Sequence, residues 1–279
     1  MNSFGEPSGL RAGLRIAVMM VVAAIAVPVL HAQTDTDFDV YKVRIYGFWF
    51  YSNPTGTFQD ATSGNIINLH KDFGFSSYST FSGKLDWKFT RKNHVYLVGA
   101  PFDQSRQTVL QRTIVFRGQT FNVGVVTKAN VTAPLIAPGY QYDIIRRRRG
   151  HLGLALQFNV FNSEASLFAA AQVNTNNQVI SGKKSLLVPI PVGGPQYRFY
   201  LTNSPRLYVE GNVFGMYFFG YGNFVSTSDN VGVTLTKHLS ANAGYQLGSR
   251  LTVNVDSKKD RLGLSLTQKG PIVGAEVSF

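Results

Sequence analysis

From Phe75 to Thr90 the chain alternates residue by residue. Phe75, Ser77, Ser79, Phe81, Gly83, Leu85, Trp87 and Phe89 share one side of a two-residue period, and Ser76, Tyr78, Thr80, Ser82, Lys84, Asp86, Lys88 and Thr90 the other. Successive side chains of a strand point to opposite faces, so this period marks an extended chain with one polar and one increasingly apolar side. Strands of soluble domains run to about 5–6 residues. A longer alternating run fits a tilted strand crossing a bilayer, which needs about 9–11 residues.

The same device recurs. Val40 to Tyr51 sets Tyr41, Val43, Ile45, Trp49 and Tyr51 against Lys42, Arg44 and Tyr46. His151 to Phe161 and Leu239 to Val255 alternate likewise, the latter placing Arg250 on its polar face. Charged residues are 15% of the chain against about a quarter in an ordinary soluble domain. Aromatic residues reach 13%. Much of the surface is therefore expected to face something other than water, yet beyond the N-terminus no apolar run approaches the roughly 20 residues of a spanning helix. A closed antiparallel transmembrane β-barrel reconciles these observations, because alternation hides a lipid-facing side in segments of modest hydropathy.

Residues 1–32 read as a secretory signal, with Arg11 and Arg15 as its basic region, Ile16 to Leu30 as its apolar core and Leu30-His31-Ala32 as the cleavage site. Residues 33–39 are then a short periplasmic segment and 40–279 the barrel. The signal removes two basic residues and one acidic one, so the excess of +12 belongs almost wholly to the mature chain. An exported chain has no nucleic acid to meet, which sets that partner aside despite the charge. Cysteine is absent, excluding disulfides, thiolate metal sites and a lipoprotein anchor.

Tight turns are expected at Arg91–Asn93, Arg146–Gly150, Thr202–Arg206 and Lys237–His238. Longer outer connections are expected at Ser52–Asp72, near Arg117-Gly118, and at Ser163–Lys184, Gly220–Asn223 and Asp256–Asp260. That makes about 10 strands with both termini on the periplasmic side. At Ala133–Gly139, Pro134 and Pro138 interrupt a strand and its polar positions change from even (Lys128, Asn130) to odd (Gln141, Asp143), which predicts a bulge. An extra turn there instead would leave 8 or 12 strands. Trp87, Phe89, Tyr140, Tyr142, Tyr197 and Phe199 near inner strand ends, and Trp49, Tyr51, Tyr217 and Phe219 near outer ones, form two aromatic girdles.

The chain ends Val273-Gly274-Ala275-Glu276-Val277-Ser278-Phe279, which resembles the terminal signature that the barrel-assembly machinery reads in Gram-negative outer-membrane proteins. Phe279 is then the assembly signal. Gly83–Phe89, Gly139–Asp143 and Tyr208–Asn212 are similar to inner-end strand segments of small outer-membrane barrels, including uncharacterised ones of soil bacteria. The resemblance spans roughly Val40 to Phe279. It implies the fold and an outer-membrane location, and it carries no catalytic residue.

No cofactor or metal is implied, since the histidines are scattered. His94, His151 and His238 fall in expected inner turns. His70, beside Asp72 in an outer loop, leaves a lipid-modifying enzyme as one alternative and a small-solute channel as another. About ten strands enclose little more than side chains. Tyr46, Phe48 and Phe50 should narrow one wall, and Tyr208, Phe214, Met216 and Phe218 another. The expected role is thus structural, surface-binding or narrow-pore, in a plugged barrel. Lys42, Arg44, Lys84, Asp86, Lys88, Asp143, Arg198, Glu210 and Glu276 fall on polar faces near inner strand ends and are expected to form a lumen charge network, with Glu276 meeting Arg44 only if the barrel closes. Lys71, Lys183, Lys184, Lys258, Lys259 and Arg261 lie on the outer side, where they are expected to contact lipopolysaccharide. Arg146 to Arg149 reads as a solvated inner turn.

Overall fold

The computed structural model describes residues 38–60, 66–116, 119–173, 176–204, 206–218, 222–257 and 260–279. The expected signal peptide lies outside them, as do Lys258 and Lys259. In chain order the strands are β1 (Val43–Ser52), β2 (Thr55–Asp60), β3 (Ile66–Asn68), β4 (Tyr78–Lys88), β5 (Asn93–Ala100), β6 (Asp103–Val109), β7 (Ile114–Phe116), β8 (Gln119–Phe121), β9 (Val126–Thr132), β10 (Leu135–Arg147), β11 (Gly150–Val173), β12 (Asn176–Tyr200), β13 (Arg206–Phe218), β14 (Gly222–Thr234), β15 (Leu239–Ser257) and β16 (Asp260–Ser278). One short helix, α1 (Leu69–Phe73), follows β3.

Ten of these strands, β1, β4, β5 and β10 to β16, pair antiparallel in that order, and β16 pairs back onto β1, closing the barrel. Closure runs from Arg44↔Ser278 to Phe50↔Ile272 and is tied off where the Phe279 N–H donates to the Val43 carbonyl at 2.9 Å. The four tight turns fall at one end, near Arg91, Arg148, Asn203 and Lys237. At the other end Ser163–Lys184 is no open loop. It is a two-stranded arm, since β11 and β12 stay in register from Phe199 to Asn176.

Three breaks separate barrel wall from outer extensions, at Asn53-Pro54, Pro101-Phe102 and Ala133-Pro134. None shifts the register. β1 and β2 meet β16 in one frame, β5 and β6 meet β10 and β9 in another, and β10 and β9 meet β11 in a third. Proline cannot donate to a ladder, so it interrupts pairing and leaves phase intact.

The bulge expected at Ala133–Gly139 is therefore absent from that stretch. Odd positions point inward on both sides of the break: Thr127 and Ala129 are buried, as are Ala137, Gln141 and Asp143. What inverts is the medium. Beyond the bilayer the outside is water and the inside is an apolar cap, so Lys128 faces out without a change of phase. The β10 bulge lies between Asp143 and Ile145, and turns both Ile144 and Ile145 outward. A second bulge, between Gln246 and Ser249, reverses the faces of β15 and leaves Arg250 exposed on the outside, where alternation had put it in the lumen.

Trp87, Phe89, Tyr140, Tyr142, Phe199, Trp49, Tyr51 and Tyr217 are exposed on the outer wall. Inside, narrowness is relieved by glycine. A Cβ on Gly139 would stand 2.3 Å from the Tyr96 ring, and one on Gly232 would stand 2.2 Å from the Tyr208 ring. Each tyrosine thus lies flat against the neighbouring strand.

Candidate functional site

The lumen has three levels. At the tight-turn end lies a charged plug, built around a residue that precedes the first strand. Residues 38 to 42 do not stay outside the barrel. The Phe38 N–H donates to the Arg148 carbonyl at 2.9 Å, and the Phe38 ring meets Tyr200 edge-on at 5.7 Å. This carries Asp39 into the mouth, where it is 3% exposed. Its carboxylate pairs with Arg44, with Lys88 at 3.5 Å and with His151 at 2.9 Å, and lies 3.9 Å from Arg198. Its carbonyl accepts from Arg146 at 2.9 Å.

A second hub is Arg198 on β12, which holds Glu210 of β13 through Nε at 2.9 Å and Glu276 of β16 through Nη1 at 2.9 Å and Nη2 at 2.5 Å. Arg44 Nε stands 3.1 Å from Glu276, so first and last strands meet across the closure. A third centre is His94 on β5. Its Nε2 contacts Asp143 at 3.0 Å, and its Nδ1 contacts Asp86 at 3.3 Å and the Tyr41 hydroxyl at 2.9 Å. The Tyr41 ring also carries Arg44 at 3.7 Å and Lys88 at 3.9 Å over its faces.

Among the described residues, the plug joins five cations (Arg44, Lys84, Lys88, Arg146, Arg198) to five carboxylates (Asp39, Asp86, Asp143, Glu210, Glu276). By formal charge the two sets balance. Neutrality matters here, because a buried charge without a partner is costly while a paired, hydrogen-bonded set is tolerated.

Eight of the nine residues expected in a lumen network are brought together, and Lys42 is not. The chain bends before β1, so Lys42 is exposed while its N–H bonds the Phe279 carbonyl at 2.6 Å. The same bend takes Tyr41 off the lipid side and into the plug. Sequence reasoning missed Asp39, Tyr41, His94, Arg146 and His151. His94 and His151 had been placed in turns, yet both are buried lumen residues one position inside their strands. Arg146 belongs to the plug, not to a solvated turn.

Above the plug is a chamber of about 340 Å³. Its floor is Lys84, Asp86, Arg198 and Glu210. Gln157, Asn159, Gln196, Asn212 and Gln246 lie along its sides, and Phe50, Tyr78, Phe102, Phe161, Phe214 and Phe224 add apolar surface. Tyr46 and Phe48 line it as well. Met216 is 40% exposed, and the Phe218 side chain lies outside the described set.

Over the open end sits an apolar cap of Ile67, Phe73, Phe75, Leu110, Ile114, Phe116, Phe121 and Leu167, drawn from β3, α1, the β7–β8 hairpin and the β11 arm. Asn68 caps α1, accepting from the His70 and Lys71 N–H groups, and Gly74 ends it in the left-handed conformation at φ 66. Asp72 receives Arg112 Nε at 2.8 Å and Nη2 at 2.7 Å, which holds its carboxyl below the usual carboxylate range. His70 Nδ1 lies 2.8 Å from the Phe75 carbonyl. These contacts pin the cap, with Asp72 held by Arg112 and His70 set against the Phe75 carbonyl. Of the six cations expected to meet lipopolysaccharide, Lys71 is exposed on α1. The side chains of Lys183, Lys184 and Arg261 lie outside the described set.

No family model matches the chain. No curated protein sequence does either. Solved structures do match. The outer-membrane protease OmpT from Escherichia coli superposes with a TM-score of 0.53 at 10% identity, over 88% of this chain and 100% of its own. The transport unit of the autotransporter AIDA-I from E. coli gives 0.42 at 9%, over 96% and 98%. The toluene transporter TodX from P. putida gives 0.38 at 7%, over 87% and 91%. At 10% identity the OmpT likeness is one of fold, and with β16 paired back onto β1 the chain has the closed transmembrane β-barrel of outer-membrane proteins.

Proposed function

We propose that the protein is an integral barrel of a Gram-negative outer membrane, reached by export through the periplasm, whose lumen is closed to ion flow. Its role is structural or surface-binding and not that of an open pore or an enzyme. The observation that carries this reading is the plug. Asp39 is held by side chains of β1, β4, β11 and β12, so four strands clasp one residue in the mouth. The apolar cap supports closure at the other end. Single-channel recording in planar bilayers tests it: membranes containing the folded protein should stay at baseline, and a large, stable conductance would overturn the reading.

Two partners belong to the same proposal. Phe279 is the signal for the barrel-assembly machinery. Lys71, Lys183, Lys184, Lys258, Lys259 and Arg261 pair with lipopolysaccharide phosphates. Replacing these six by Gln should lower barrel stability in lipopolysaccharide bilayers and leave it unchanged in phosphatidylcholine, and equal stability in both would dismiss the contact.

A further inference from the structure

The wall beside the chamber is thinly paired in two places: β4 and β5 pair only from Gly83↔Gly99 to Lys88↔His94, and the β12–β13 seam has a gap of a different kind. Around most of the barrel, neighbouring strands pair over long stretches, as β13 and β14 do from Arg206↔Thr234 to Phe218↔Gly222. β12 and β13 do not. They pair from Tyr200↔Tyr208 to Gln196↔Asn212 and then only at Gly193↔Gly215. Extending that frame sets Pro191 opposite Tyr217, where the proline nitrogen has no hydrogen to donate.

Backbone chemistry explains the gap. On β12 the Tyr200 N–H donates toward β11, to the Arg149 carbonyl at 2.7 Å, and the Leu201 N–H donates toward β13, to the Leu207 carbonyl at 2.7 Å. Even-numbered residues thus serve β11 and odd-numbered ones serve β13. The β11 register runs unbroken along β12, so this parity holds along its length. Pro189, Pro191 and Pro195 are all odd. Each deletes a donor facing β13, and between 189 and 195 only Gly193 keeps one, where the isolated pair forms. The β11 side loses nothing.

Behind the seam lie Ile190, Val192, Phe214 and Phe224, which form an apolar cluster with Tyr96. Tyr96 leads onward: its hydroxyl accepts from Gln196 at 3.2 Å, and its ring carries the Lys84 ammonium at 4.4 Å. Lys84 differs from the other plug cations. Its side chain is 24% exposed, where those of Arg44, Lys88, Arg146 and Arg198 are 8% or less. Its contact with Asp86 is long, at 3.8 Å, and Asp86 also has Tyr41 and His94. An ammonium facing the chamber with a loosely held partner can accept an anion.

We infer that the chamber binds a small anionic amphiphile, a monocarboxylate with an apolar tail, which enters from the membrane between β12 and β13 and rests its carboxylate on Lys84 and its tail on Phe214 and Phe224. The volume, about 340 Å³, lies at the lower end of small-molecule sites. A lateral route also suits a lumen closed at both ends. The inference goes beyond the closed-lumen reading and is tested apart from it, because a barrel can be silent in a bilayer whether or not it holds a ligand.

The probe is decanoate labelled with ¹³C at its carboxyl, added to the protein refolded in phosphatidylcholine nanodiscs. A bound resonance distinct from the lipid-dissolved one should saturate. Lys84→Gln should weaken binding tenfold or more, Lys84→Arg should keep it within threefold, and decanol should compete at least tenfold less well than decanoate. The decanol comparison needs no variant and stands if Lys84→Gln fails to fold. Absence of saturable binding, or equal competition by decanol, overturns the site. For the route, Pro191→Cys combined with Tyr217→Cys permits a disulfide across the seam in a chain that has no cysteine of its own. The oxidised form should load decanoate at least tenfold more slowly with unchanged affinity, and reduction should restore the rate. Equal loading rates in the two forms overturn the lateral entry.

Discussion

Removing the charge of Asp39 is the most direct test of the proposed closure of the lumen. In Asp39→Ala the plug keeps Arg44, Lys84, Lys88, Arg146 and Arg198 against only four carboxylates, and Arg44 and Lys88 lose an anion at close range. Breaking a buried pair by deleting one partner costs about 3–5 kcal/mol, because the remaining charge stays desolvated. Asp39 is 3% exposed, so solvent offers little compensation. About 3 kcal/mol is the expected loss. With a denaturant slope of roughly 1–3 kcal/mol/M, the urea midpoint should fall by about 1–3 M. Tryptophan fluorescence during unfolding from lipid vesicles reads this. Asp39→Asn keeps the shape and should lose nearly as much, since charge and not volume is being tested. A loss below about 1 kcal/mol in both variants would mean that the plug cations are already hydrated, and the account of closure would fail.

Four further outcomes follow from the same geometry. Glu276→Gln and Arg44→Gln should show a coupling of roughly 0.5–3 kcal/mol in urea unfolding, because both lie in one network; strict additivity would separate them. Asp72, lowered in the folded state by its Arg112 hydrogen bond, contributes stability that is present above its unfolded pKa of about 3.9 and lost as pH falls through the lower folded value. Protection factors over residues 66–75, corrected for the intrinsic slowing of amide exchange as pH falls, should drop in acid in the native protein, and Arg112→Gln should be weakly protected even at neutral pH; a native cap whose protection is indifferent to acid would refute this. Gly139→Ala should cost about 1–3 kcal/mol by pushing Tyr96 off the wall, a loss that should shrink in a Tyr96→Ala background if crowding is its cause. Lys42→Gln should change unfolding stability by less than about 0.5 kcal/mol, and a larger loss would return Lys42 to the network.

Alternation made the barrel legible because lipid and lumen impose opposite demands on adjacent residues. It also displayed most of the plug, since eight charged residues lie on lumen faces near one end. What escaped was set by changes of phase or of medium. Lys42 and Tyr41 exchanged places because the strand starts at Val43, a boundary no periodicity marks. Arg250 left the lumen through a bulge whose only trace is Gly248, and the apparent switch of polar face near Pro134 had no bulge at all. Asp39 was invisible for a different reason. It is a single acidic residue in a segment without pattern, and only the fold brings it to five basic side chains from distant strands.

The missed residues share a position that explains the plug. His94, Arg146 and His151 flank turns, and short turns look solvated when read in sequence. In a barrel of ten strands, however, the residue one step inside a turn already faces a space narrow enough for opposite walls to touch. Arg198 shows this by reaching from β12 to Glu276 of β16, and His94, one position inside β5, adds a link to Asp143 and Asp86 on its two neighbours, so that it bridges three strands. Narrowness therefore converts turn-proximal polar residues into a crosslinked layer. The wall there must be fully paired to bear it, and the seam opened by Pro189, Pro191 and Pro195 begins only above that layer, beyond the last regular β12–β13 pair at Gln196↔Asn212. The barrel is crosslinked where it is plugged and thinly paired beside its chamber, which is the arrangement that the proposed closed lumen and lateral entrance require.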